Sequence, residues 1–348
     1  MSLRAWISIV TFLLIGIIIY FSRHELLHAW QLLEKVNIWI LLLLIPGQII
    51  VYFAGGEMIF SYLRDKGSIS EVPKRTLTRL SLEMNFVNHL LPSGGVSGVS
   101  YMTWRLGKYG VTSGRATMAQ VVRYAMGFVA FIVLLAVAVI VVTLDGNINR
   151  WIILMSSVLV SITIAAIVAG IYLFSSQKRI TKFAGWLSRT ANRLVAKVTF
   201  GRRVQVLHLE KVEMFFDEMH HDFLALRHDK RILIKPFLWG LLFTAADTLL
   251  FMITFWALGQ PINPAPVLIA YGLATIAGFF VVTPGGAGAY EAIMVTFLAV
   301  AGLDKGTVIA GIVLTRVILL LGTIILGYIF YQMAILKYGR SDAPTAER

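Results

Sequence analysis

The sequence predicts an all-α polytopic membrane protein: about six transmembrane helices plus two broken re-entrant hairpins, arranged as inverted repeats. Three observations predict it. Of the 348 residues, 58% are hydrophobic and the mean hydropathy is +0.79, well above a soluble domain. Two apolar runs are interrupted by the same layout of proline and glycine, Leu91-Pro92-Ser93-Gly94-Gly95-Val96-Ser97-Gly98 and Val282-Thr283-Pro284-Gly285-Gly286-Ala287-Gly288. Lys and Arg gather in alternate connections, as cytoplasmic loops require.

The elements follow in order. Ala5 to Ser22 is apolar behind Arg4; it is longer than a signal core and has no small-x-small cleavage site, so it is helix 1. Val36 to Phe53 is helix 2, with a kink expected at Pro46-Gly47 and its end near Gly55-Gly56-Glu57. Residues 64–79 carry five basic side chains and form a cytoplasmic loop. Arg105, Lys108, Arg115 and Arg123 make the far flank of the first break basic too, so residues 81–104 enter, turn and leave on one side. Tyr124 to Leu144 and Trp151 to Phe174 are the next crossings. Residues 175–235 hold thirteen Lys or Arg against six Asp or Glu, a cytoplasmic connector. Within it Val204, Leu207, Val212, Phe215, Phe216, Met219, Phe223 and Leu226 recur at helical spacing, predicting one amphipathic helix on the membrane surface or against the bundle. Pro236 to Leu258 crosses, the second hairpin spans 267–301, and Thr307 to Leu336 crosses back.

This path puts 26 of the 31 Lys and Arg inside and four outside, with Arg316 in the membrane. The first hairpin then enters from the cytoplasm and the second from outside. The spacing agrees, since Pro92 to Arg123 is 31 positions and Pro284 to Arg316 is 32. The whole, 1–348, reads as a single membrane domain. Its halves are 1–174, with a hairpin near 81–104, and 236–340, with a hairpin near 267–301, joined by 175–235. The predicted location is the cell membrane, with both termini cytoplasmic.

Composition excludes several chemistries. There is no cysteine, hence no disulfide framework, thiolate zinc site or cysteine nucleophile. The net charge of +13 suits an anionic lipid surface facing the basic cytoplasmic loops, and no nucleic acid is expected. No Walker-type P-loop, HExxH or Ser-His-Asp arrangement occurs, so no catalytic residue, metal or cofactor is assigned. Asp217 and His221 stand four apart, a metal spacing, but the charged face of an amphipathic helix is the preferred account of them.

The breaks carry the site. Proline and glycine cannot continue a helix, and freed backbone groups are tolerated in a bilayer only where they are covered by protein or line a wet cavity. Two such breaks in corresponding places point to a transporter-like site. Pro92, Gly94, Gly95 and Gly98, and Pro284, Gly285, Gly286 and Gly288, sit where each second half-helix begins; its N-H groups can cradle a phosphate or carboxylate, or the glycines can serve close helix packing. Arg316 sits in an apolar run and needs a partner or a polar cavity. Glu291 and Asp247 are its available acids, and Arg123 with Glu83 is the matching pair in the first half. Arg105 is a further candidate cation. Asn85, Asn88 and His89 can bond the frayed helix end or touch substrate.

Pro284-Gly285-Gly286-Ala287-Gly288 with Glu291 and Arg316, and the segment Asn88 to Gly110 with its Pro92 break and Arg105, resemble the membrane region of the lysylphosphatidylglycerol synthase family, also called flippase-like membrane proteins. In full-length synthases a soluble aminoacyl-transferase domain follows, and the chain here stops before any such domain. The resemblance implies the lipid-translocating half: a flippase-like translocase for an anionic or phosphate-bearing lipid, not an enzyme, with membrane lipids and a separately encoded lipid-modifying enzyme as partners. Where many relatives carry an acid after the first break, this chain has Val99-Ser100-Tyr101. Three other classes stay open on the residues alone: a membrane-embedded lipid-modifying transferase using Glu83 or Glu291 as base, an ion-coupled small-solute carrier, and a regulatory subunit that transports nothing.

Overall fold

A computed structural model describes residues 31, 34–90, 96–144, 150–198, 209–278 and 288–338. Helix 1 and the two Gly/Pro turns lie outside the described residues. A single turn, α1 (Ile38–Leu41), leads into α2 (Leu44–Asp65); α3 (Lys74–Leu90) and α4 (Val96–Gly107) flank the first break, and α5 (Ser113–Leu144) follows. Then come α6 (Arg150–Phe174), α7 (Gln177–Val198), α8 (Leu209–His228) and a 3-10 turn at Lys230–Leu233. The second half repeats the first: α9 (Ile234–Ala257), short α10 (Pro264–Gly278) and α11 (Ala289–Val300), and long α12 (Lys305–Tyr338). Among the described residues there is no strand, and five helices are long and apolar enough to cross a membrane. This is the polytopic all-helical class that the sequence predicts.

Local signals explain most boundaries. Asn263 accepts the N-H of Ala265 at 2.9 Å directly ahead of Pro264, so α10 opens on a side-chain cap with proline at its first position. Asp304 likewise accepts the N-H of Thr307 at 2.8 Å to open α12. Helix 2 departs from expectation at both ends. The break falls at Leu42-Leu43, and Pro46 sits in the first turn of α2, where a missing N-H costs no helical hydrogen bond. α2 then runs straight through Gly55-Gly56 to Asp65. Those glycines are approach points rather than an end: a Cβ on Gly56 would lie 2.0 Å from Ser81 Oγ, and one on Gly55 3.1 Å from the Phe243 ring.

The halves interlock through corresponding helices. α2 packs along α9, α3 along α12 and α10 along α5. The α2–α9 seam uses a small residue, Gly47 against Leu250, and an edge-to-face pair, Phe53 on Trp239 with centroids 5.4 Å apart. The first hairpin approaches the C-terminal end of α12, where Arg105 lies 4.3 Å from the Tyr338 ring and Phe86 meets Tyr328 and Tyr331. The second approaches its N-terminal end, where Phe297 and Leu298 share a core with Val308 and Ile312. The hairpins thus reach α12 from opposite ends, as an inverted repeat demands.

The connector differs from expectation. The sequence predicts one long amphipathic helix beginning near Val204; the structure has two, α7 and α8, with 199–208 outside the described residues. α7 supplies the missing apolar face, Ile180, Phe183, Ala184 and Leu187, against Phe216 and Met219 of α8. The pair docks under the first half. His220 is buried with Nδ1 2.7 Å from the Phe174 carbonyl at the end of α6, and Glu218 accepts the N-H of Gly114 at the start of α5, where a carboxylate suits the helix dipole. Asp217 is held by Gln177, and no metal-type cluster occurs among the described residues.

Candidate functional site

A cavity of about 400 Å³ lies where the hairpins meet. α12 contributes Arg316 and Thr323, α11 contributes Tyr290 and Glu291, and α3 contributes Asn85 and His89 from the other hairpin. α9 adds Asp247 and α2 adds Gln48 and Tyr52. Arg316 is the twelfth of the 34 residues of α12, about 16 Å from its start at about 1.5 Å per residue, so the cavity lies well away from either end of that helix.

Glu291 organises one wall. Its Oε1 accepts Arg316 Nε at 2.6 Å and its Oε2 accepts the N-H of Gly288 at 2.6 Å. Gly288 has φ +89, a conformation side chains resist, which turns the chain into α11 so that its N-H faces Glu291. The helix start read as an anion cradle therefore already holds the protein's own carboxylate at this donor. The Arg316 guanidinium lies 4.6 Å from the Tyr290 ring, which stacks on Phe251. Further along α12 Gln48 donates to the Leu319 carbonyl at 2.6 Å and to Tyr52 at 2.7 Å, and Tyr52 bonds Thr323. Asp247 faces the same space with Tyr271 as its hydrogen-bonding neighbour and Arg316 as its nearby cation.

The first half resolves differently from the second. Glu83 pairs with Arg105, Nε to Oε2 at 2.9 Å, and not with Arg123 as the sequence suggests; both side chains are 4% exposed, so this is a buried lock. Tyr101 donates to the same Glu83 oxygen at 2.9 Å. Arg105 does not line the 400 Å³ cavity. Gly98 donates its N-H to Asn88 Oδ1 at 2.8 Å, capping α4 across the hairpin, and a Cβ there would lie 2.3 Å from that oxygen. Asn85 donates to the Ser81 carbonyl within its own helix, yet faces the cavity.

Arg123 lines a second cavity of about 230 Å³ with Tyr124, Gly127 and Phe128. Phe243, Tyr271 and Thr275 line both cavities, forming a thin partition between the two arginines that the sequence spacing relates.

The structure therefore gathers Arg316, Glu291, Asp247 and Asn85, places Gly288 beside them and Arg123 next door, and sets Glu83, Arg105 and Gly98 in the hairpin. Pro92, Gly94, Gly95, Pro284, Gly285 and Gly286 lie outside the described residues. Sequence reasoning missed Tyr290, Tyr271, Gln48, Tyr52 and Thr323. A signal existed for Gln48, an amide in an apolar run, which in a bilayer needs a partner.

Comparison with known proteins agrees with this architecture. Residues 5–327 match the family described as the lysylphosphatidylglycerol synthase TM region. Two proteins of Methanothermobacter thermautotrophicus, each named UPF0104 membrane protein, are similar. One is 24% identical over 253 residues, covering 71% of this chain and 72% of that protein; the other is 26% identical over 211 residues, covering 60% and 58%.

Proposed function

The chain belongs to the lysylphosphatidylglycerol synthase transmembrane-region family, and on that premise we propose that it is a lipid translocase moving an anionic or phosphate-bearing lipid between leaflets. One observation carries the reading: the Arg316–Glu291 pair lines a cavity to which both hairpins contribute, the first through Asn85 and His89 and the second through Tyr290 and Glu291. A cation this deep is costly unless it faces charge, and an internal carboxylate supplies that charge until a ligand phosphate replaces it. Arg316 binds the phosphate, Glu291 closes the empty site, and Arg123 offers a second station beyond the Phe243 and Tyr271 partition. The glycine breaks, from Pro92 to Gly98 and from Pro284 to Gly288, let the backbone approach the headgroup, while Glu83 with Arg105 holds the first hairpin rigid. Acyl tails stay in the bilayer as the two halves of one membrane domain rock about the site. The charge bias of the loops sets the protein in the cell membrane with cytoplasmic termini.

The test is leaflet exchange of a fluorescent phosphatidylglycerol in proteoliposomes. Arg316→Ala and Glu291→Ala should each abolish it, and unchanged exchange in both overturns the proposal. Asp247 beside Arg316 favours one other reading, an ion-coupled small-solute carrier. That carrier would show solute-dependent proton flux lost in Asp247→Asn and no lipid exchange.

A further inference from the structure

We propose that the cleft between α5, α6 and α8 is a binding site for one anionic membrane lipid, its acyl chain against Val121, Phe128, Ile167 and Phe223 and its phosphate between Arg227 and Lys230. The inference goes beyond translocation: binding here stands whether or not any lipid crosses.

The cleft encloses about 640 Å³, inside the range of roughly 300–1,000 Å³ typical of small-molecule sites. Its walls come from the membrane-spanning stretches of α5 and α6 and from the apolar face of α8. Water would find few partners against such walls, whereas a hydrocarbon chain loses nothing there. The chain gains little by leaving the bilayer, since one apolar surrounding replaces another. Selection must come from the polar end.

That end is cationic. Arg227 stands in the last turn of α8 and Lys230 opens the 3-10 turn, and both line the cleft while exposed to solvent. The acids of the same region are committed elsewhere. Glu218 accepts Gly114 N-H at 2.9 Å, Asp222 pairs with Arg115 at 3.4 Å and Asp229 caps Arg231 N-H at 3.0 Å, and no acid is among the residues lining the cleft. An arginine and a lysine over an apolar slot match a phosphodiester carrying a fatty chain. Room is present as well, for a Cβ on Gly170 would meet nothing within 4 Å. Tyr124 and Phe128 line both this cleft and the Arg123 cavity, so a lipid held here lies one side-chain layer from the inner site.

The test uses the full chain in phosphatidylcholine nanodiscs doped with phosphatidylglycerol bearing a photoreactive group on its acyl chain, with adducts mapped by mass spectrometry. Adducts are expected on 118–128 and 166–174, competed by unlabelled phosphatidylglycerol and not by phosphatidylcholine. Arg227→Ala with Lys230→Ala should weaken competition by about 30-fold, two charges each worth about fivefold near the surface. Gly170→Phe should block labelling without lowering the thermal unfolding midpoint, because the ring enters open space. Arg316→Ala should leave labelling intact, which separates this site from the central cavity. Equal labelling by a phosphatidylcholine probe, or labelling insensitive to both Gly170→Phe and the double variant, overturns the proposal. Loss of cleft labelling in Arg316→Ala also overturns it as a separate site.

Discussion

Glu291 holds Arg316 with one carboxylate oxygen and Gly288 with the other, each at 2.6 Å, so a single side chain couples the start of α11 to the middle of α12. Charge and helix geometry are thereby tied, and disturbing either should be felt at the cavity.

Glu291→Gln separates the two tasks. The amide oxygen still accepts from Gly288, but the charge facing Arg316 is gone. The amide NH2 would then meet the Arg316 N-H donor to donor, so a charge-assisted hydrogen bond contributing about 1.5–3 kcal/mol is lost outright and the stability constant should fall by about tenfold or more. Glu291→Ala should cost more, since the helix start loses its cap as well. Thermal unfolding in detergent would rank the two variants, and leaflet exchange should fall in both.

The Glu83–Arg105 pair should behave as a structural lock. Both side chains are buried, so Arg105→Ala leaves a carboxylate without its cation and should destabilise by about 3–5 kcal/mol. The double change Glu83→Leu with Arg105→Met should recover much of that loss, because no charge is then stranded. Denaturation monitored by tryptophan fluorescence would show whether the double variant exceeds the single.

Gly98→Ala and Asn88→Ala should fail for one shared reason. The first places a Cβ 2.3 Å from Asn88 Oδ1; the second removes that acceptor. Loss of a capping side chain costs about 1 kcal/mol. The double variant should be little worse than the more harmful single, and unfolding midpoints of all three would reveal that non-additivity.

The opposed hairpins can be tested chemically. With no native cysteine, Lys108→Cys at the base of the first hairpin and Lys305→Cys beyond the second each provide a unique thiol. A membrane-impermeant maleimide should modify the two from opposite faces of oriented vesicles. Modification of both from one face would remove the inverted arrangement.

The apolar runs, the Gly/Pro breaks, the loop charges and the repeated Pro-to-Arg spacing are properties of short stretches, and they determined the class, the two-half plan and the family. Tertiary structure decided the partners. Glu83 turns to Arg105 rather than Arg123 because helix rotation, not sequence spacing, sets which side chains face each other. Gly55 and Gly56 mark close approaches of Phe243 and Ser81 instead of a helix end, which no local pattern could tell apart. Tyr290 and Tyr271 of the second hairpin and Gln48 of α2 reach one cavity only through the packing of helices far apart in the chain, long-range contacts that each stretch leaves unspecified.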